Sequence, residues 1–207
     1  LTSNDMLHKG DWITVKSVDA NGIVEDMSLT TVKVRNFDNT IVTISPATLV
    51  NGSFQNWIGM QKSGGRRAKR IVYFDFRSIR LVDETLKQTL LAKHFATEDS
   101  FKLKESLQKA IEKDIQEGKD IEDLKNPAAL APTNLQLYRR FMEKYLRQRP
   151  EVNTELTLMV RHMEATQCGL PIEFYFFIKD KVWVNYEHIL ADIMEHAYAL
   201  ANEFGLK

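Results

Sequence analysis

The sequence predicts an α+β chain built of two parts: a small all-β domain over residues 1–58, and an α/β domain over residues 59–207 with a helical insertion at about 98–132. Three observations carry this. Residues 10 to 57 are short apolar stretches separated by turn signals, Asp19-Ala20-Asn21-Gly22 and Asp38-Asn39, as small β units are. GMQKSGG, 59 to 65, has the composition of a linker. Beyond it the apolar spacing lengthens into helical stripes interleaved with alternating runs.

In the first part, four or five strands are expected. GIVEDMSLTTVKVRNFDNTIVTIS, 22 to 45, reads as strands joined by a two-residue turn at Asp38-Asn39, where Asn tolerates the positive φ of a tight hairpin. Val32 and Val34 then share one face. On the return strand Ile41, Val42 and Ile44 put apolar groups on both faces, so one face meets the domain's core. The other meets either a neighbouring subunit or the rest of the domain's own barrel.

The second part opens on RRAKRIVYFDF, which alternates as a strand with Val72, Phe74 and Phe76 on one face and Ile71 and Tyr73 on the other. Residues 79–94 read as a helix. From Ser100, a candidate N-cap, Phe101, Leu103, Leu107, Ile111 and Ile115 recur at helical spacing amid dense charge. NPAALAPTN breaks that helix. Thr133 or Asn134 can cap the next one, whose Leu137, Tyr138, Phe141, Met142, Tyr145 and Leu146 form one stripe that stops before Pro150. Residues 155–164 and 170–179 alternate as strands around a Cys168-Gly169 turn. A last helix over 183–203 places Tyr186, Ile189, Leu190, Ile193, Ala197, Leu200 and Phe204 on one stripe. Strand, helices, strand, strand, helix is a split β-α-β, ferredoxin-like arrangement lacking its final strand, which EFGLK would begin.

Composition limits the function classes. With 43% hydrophobic and 27% charged residues the chain reads as a soluble globular protein, and 28 basic against 28 acidic side chains give it no global field for nucleic acid or an anionic surface. A single cysteine cannot form an internal disulfide and favours a reducing compartment. No run approaches the roughly 18–20 apolar residues of a membrane span. The opening LTSNDMLHKGDW has no initiating Met, so an upstream segment is expected.

Candidate chemistry is sparse. There is no phosphate-cradling glycine loop, no G-x-S-x-G elbow and no paired-cysteine zinc signature, so no enzyme and no cofactor is expected. Cys168 has no partner base that sequence identifies and reads as a passive thiol. His188, Asp192 and His196 lie at i, i+4, i+8 on the last helix, a spacing that can hold a metal, but they fall opposite the apolar stripe, as a solvated face should; no metal is expected. Arg66, Arg67, Lys69 and Arg70 form the densest basic cluster, beside Tyr73 and Phe74. Basic and aromatic strands are how some ferredoxin-like domains hold RNA, yet the RNA module's aromatic signature is absent and a solvated charged strand is the plainer reading.

KGDWITV followed by GIVEDMSLTTVKVRNFDNTIVTIS resembles the β domain of the small-conductance mechanosensitive, MscS-type channel family. Gly10, Asp11 and Ile13 match the family's G-D-x-(I/V) opening, Gly22, Val24 and Met27 its G-x-V-x-x-(I/M) element, and Asp38-Asn39 its hairpin turn. Ile44-Ser45-Pro46 departs from the usual I-P-N exit. Downstream, SFQNW, SGGRRAKR, LTLMVR, GLPIEFY and EFGL are similar to the miniconductance or YbdG-like branch, whereas about 98–132 matches no shorter member. The resemblance implies an Sm-like β domain and a homo-oligomeric ring, heptameric in the full-length protein. It also implies upstream helices in the inner membrane, with this portion cytoplasmic and enclosing a vestibule that filters ions. It makes Arg66 and Arg67 candidate portal or rim charges, and Ile41, Val42 and Ile44 candidate subunit-interface residues. No nucleic-acid partner is expected; an RNA-binding module or an oligomeric scaffold is the alternative.

Overall fold

A computed structural model of the chain describes residues 6–102, 105–119 and 131–207. The fold is α+β and divides into two compact units, Leu1–Arg66 and Arg67–Lys207.

The first unit is a five-stranded antiparallel sheet of β1 (Trp12–Val15), β2 (Ala20–Met27), β3 (Val32–Asn36), β4 (Ile41–Ile44) and β5 (Gln55–Asn56), in the order β4-β3-β2-β1-β5. Alternation works as the sequence predicts. Ile13, Val15, Val24, Val32, Val34 and Ile44 point to one side and form the core with Ala20, Leu7 and Leu49. Gly22 is dictated by a close approach, since a Cβ there would lie 1.9 Å from the Arg35 carbonyl oxygen of the next strand.

The β3–β4 hairpin corrects the expected turn. Asn36 N donates to Thr40 O at 2.9 Å, so the loop holds three residues, Phe37-Asp38-Asn39, with Asn39 left-handed at φ 68°. A type I turn closed by a left-handed residue is the usual three-residue solution, and Asn takes that last position more readily than a branched residue. Asp38 fastens the loop by accepting from Thr40 N at 2.9 Å and Thr40 Oγ1 at 2.6 Å; these bonds, the hydroxyl's first, hold its carboxyl below the usual range.

Two short helices complete the unit. In α1 (Pro46–Asn51) Ser45 accepts from Thr48 N and Pro46 occupies the first turn, the arrangement that starts helices well. The supposed linker is partly helix, α2 (Ile58–Lys62): Gly59 and the Ser-Gly-Gly that follows suggest a linker, but the glycines fall mostly after the last turn.

In the second unit, β6 (Arg66–Phe74), β7 (Met159–His162) and β8 (Leu170–Ile178) form a three-stranded sheet in the order β6-β8-β7. Phe76, expected to continue the inward face of β6, is exposed in a 3-10 turn at Phe76–Ser78. The helix expected over 79–94 is α3 (Glu84–Ala92), started by Asp83, which accepts from Leu86 N. Ser100 caps no α-helix; it sits in a 3-10 turn, Glu98–Phe101, and α4 runs Glu105–Gln116. Leu103 and much of the expected insertion lie outside the described residues. Helix α5 (Asn134–Gln148) is capped by Thr133 and ends before Pro150, and α6 spans Trp183–Glu203, both as expected.

The core forms where the apolar face of β8, from Ile172 through Phe174 and Phe176 to Ile178, meets the stripes of α5 and α6. Phe204 joins an aromatic cluster, with ring centroids 5.6 Å from Tyr138, 5.8 Å from Phe141 and 6.0 Å from Phe95. Tyr138 is fully buried, its hydroxyl donating to Ala197 O at 2.7 Å, and burial pushes its phenol pKa up.

Candidate functional site

The residues singled out in the sequence fall on two surfaces, the β4 edge of the first unit and the basic strand β6. At β4, register sets the roles: Val42 pairs with Val34 on the core side, while Ile41 pairs with Arg35 on the outer side. Ile44 is buried in its own unit and Val42 half-buried against it, whereas Ile41 is 49% exposed. Among the three candidate interface residues, only Ile41 turns its side chain outward. Among the described residues the sheet ends at β4 on one side and at β5 on the other, and an edge strand presents backbone groups that another strand can accept. Ile44→Ala should therefore cost about 2–4 kcal/mol in urea denaturation. Ile41→Ala in the isolated chain should stay within about 0.5 kcal/mol.

On the outer face Ile41, Arg35, Ile23 and Trp12 are brought into one row by the pairing of the four strands. Trp12 stacks on Trp57 with centroids 4.7 Å apart and meets the edge of Phe37 at 5.3 Å. Both indole N–H groups are satisfied, by Asn21 Oδ1 and Thr14 Oγ1. Arg66 lays its guanidinium over the Trp12 ring at 5.4 Å.

Each cation of the basic strand has a defined environment. Arg67 lies over Tyr175 at 5.9 Å, and its carbonyl accepts from the Tyr186 hydroxyl at 2.9 Å. Lys69 pairs with Glu173 at 3.3 Å, and Arg70 with Glu187 at 3.8 Å. Carboxylates thus neutralise two of the four charges and aromatic rings engage the other two, which weakens the case for a phosphate-tracking surface.

Glu173 is the residue that sequence reasoning missed. It lies on β8, on the face opposite the apolar row, with no side-chain exposure, held by Arg161 at 2.7 Å and by Lys69. Burial alone would raise its pKa, but the Arg161 hydrogen bond and the Lys69 ammonium outweigh burial and hold the carboxyl below its usual range. The signal was a lone carboxylate inside an otherwise uncharged run, LPIEFYFFI.

The remaining candidates do not assemble into a site. His188, Asp192 and His196 are exposed on α6, and the His196 ring nitrogen lies 2.7 Å from the Asp192 backbone carbonyl. Among the described residues no three His, Cys, Asp or Glu side chains could hold a metal ion. Cys168 is exposed in the β7–β8 turn. No helix of the described residues is long and apolar enough to cross a membrane.

The family model for the mechanosensitive ion channel β-domain matches residues 1–59. The first unit thus matches the mechanosensitive-channel β-domain over most of its length. That family comprises ion channels rather than enzymes. Solved channels share the fold over the whole chain. MSL1 of Arabidopsis thaliana superposes with a TM-score of 0.60 at 10% identity, covering 100% of this chain and 54% of MSL1. Closed-state MscS of Helicobacter pylori gives 0.57 at 11% identity, covering 100% of this chain and 57% of that one. The chain thus spans little more than half the length of either channel. The α+β architecture of the chain is the fold found in these structures.

Proposed function

We propose that this chain is the cytosolic vestibule portion of an MscS-type mechanosensitive channel of the miniconductance, YbdG-like branch, opened by membrane tension in osmotic downshock. The β-domain match over residues 1–59 carries the reading. In it, helices upstream of the chain span the inner membrane and hold the tension sensor and gate, and this portion is cytoplasmic. The two open edges of the first unit, β4 and β5, support a homo-oligomer. Pairing one edge with the other edge of the next copy is a head-to-tail contact, which closes into a ring when the rotation allows, here a heptamer. Ile41 and the backbone of β4 are the interface in this scheme.

The domains are the β domain over 1–58 and the α/β domain over 59–207, the latter walling a water-filled vestibule. Charges at a rim bias which ions collect there, over a range of about 8 Å at physiological salt. Arg66 and Arg67 are those charges. The insertion at about 98–132 tunes assembly or inactivation in this reading.

Patch recording tests the reading: the full-length parent protein, in cells stripped of other mechanosensitive channels, is expected to give stepwise currents that follow suction. Silence up to membrane rupture, with the protein in the membrane, overturns the channel and leaves an oligomeric scaffold. In the same patches Arg66→Gln with Arg67→Gln should lower the anion-to-cation permeability ratio without moving the tension threshold. An unchanged ratio removes both from the rim.

A further inference from the structure

The second unit contains a recess of about 360 Å³ between α5 and the segment after α3, within the size range of small-molecule sites. Its floor is aromatic, with Phe95, Phe141 and Tyr145 lining it. The Phe95 and Phe141 rings meet edge to face at 5.2 Å. Around that floor stand Arg140, Lys144 and His94, and no acidic side chain is among the lining residues described. None of these three side chains has a hydrogen-bond or ion-pair partner among the described residues.

Two features set this apart from an ordinary solvated helix face. Arg140 and Lys144 stand four residues apart on α5, so they face each other as like charges and disfavour the helix unless an anion lies between them. Acids nearby in sequence are engaged elsewhere: Glu98 pairs with Lys87, Asp99 with Lys102, and Glu143 accepts from Val160 N. The second feature is His94, which is left-handed at φ 59°. Phe95 N donates to Leu90 O and His94 N to Leu91 O, so His94 fills the left-handed position of a helix-ending Schellman motif, where glycine is favoured. Any side chain with a Cβ costs more there than glycine does, and the His94 ring lines the recess.

We infer that this recess binds a nucleoside phosphate, its base on the aromatic floor and its phosphate between Arg140, Lys144 and His94. Arg supplies a planar fork that matches phosphate oxygens, Lys a point charge, and flat bases stack on such rings. This goes beyond the channel reading and does not depend on it.

Calorimetric titration of the 207-residue chain with AMP, adenosine and inorganic phosphate tests it. AMP should bind at least about tenfold more tightly than adenosine or phosphate, and Arg140→Gln with Lys144→Gln should weaken AMP by about tenfold or more. His94→Gly separates ligand from scaffold: it should raise Tm by about 2–4 °C by relieving strain while weakening AMP. No heat with millimolar AMP, equal affinity for AMP and phosphate, or AMP affinity unmoved in the double variant would each overturn the assignment.

Discussion

Asn134→Leu is expected to remove about 4 kcal/mol from the second unit. Asn134 has no exposure, yet all four of its hydrogen-bonding positions are filled. Its Nδ2 donates to Ser78 O at 2.9 Å and Phe204 O at 3.0 Å, while its Oδ1 accepts from Arg80 N at 3.0 Å and Leu135 N at 2.9 Å. One amide therefore ties the turn after β6, the start of α5 and the end of α6. Leucine has similar bulk but leaves several backbone groups without partners, each costing about 1–3 kcal/mol, and they share part of the relaxation. Asn134→Asp should be comparably damaging at neutral pH, because a carboxylate cannot donate to the two carbonyls. Thr133→Ala, which removes only the helix cap, should cost about 1 kcal/mol. Hydrogen exchange resolved by unit reads all three. Loss of protection confined to the first turn of α5 in Asn134→Leu would refute the three-way tie.

Asn134 also shows where sequence reading runs out. A Thr-Asn pair after a proline-rich break announces a cap, and Thr133 is that cap; nothing local says that the next residue's amide reaches two segments 54 to 70 residues distant. Periodic features were legible because each follows from one element's own geometry: the inward rows of β3 and β8, the stripes on α5 and α6, the stop before Pro150, the left-handed Asn39. What failed depended on one residue more or less, as in the three-residue hairpin loop, or on glycine composition standing for flexibility, as in α2. The short helix α1 has a readable start in Ser45-Pro46. The candidate sites divide the same way. Arg66, Arg67 and Ile41 could be named from the sequence. Their partners Trp12, Tyr175 and the outer strand row could not, because strand pairing across the sheet decides them. His94 was invisible for a different reason: its backbone position is one that glycine usually holds, so no pattern marks it.

Arg161→Met is expected to cost about 3–4 kcal/mol at pH 7 and markedly less near pH 4. The substitution leaves the buried Glu173 carboxylate with Lys69 as its ion-pair partner. Breaking one side of a buried pair costs more than the pair contributes, because a charge remains out of water. In the wild type the folded pKa lies below the ordinary glutamate value of about 4.3, so the stability it brings is complete above that value. That stability is lost as pH falls through the folded pKa. Without Arg161, burial is opposed by Lys69 alone, and the folded pKa is expected to rise. Acidification should then cost the variant less than it costs the wild type, so the two converge. Glu173→Gln removes the titration and should cost only about 1–2 kcal/mol, since Lys69 and Arg161 are each about half exposed and can turn to water. Urea midpoints at both pH values separate these cases. A cost for Arg161→Met that is the same at pH 4 and pH 7 would mean that Arg161 acts through packing of its alkyl chain alone, and that the Glu173 charge contributes nothing to holding β7 against β8.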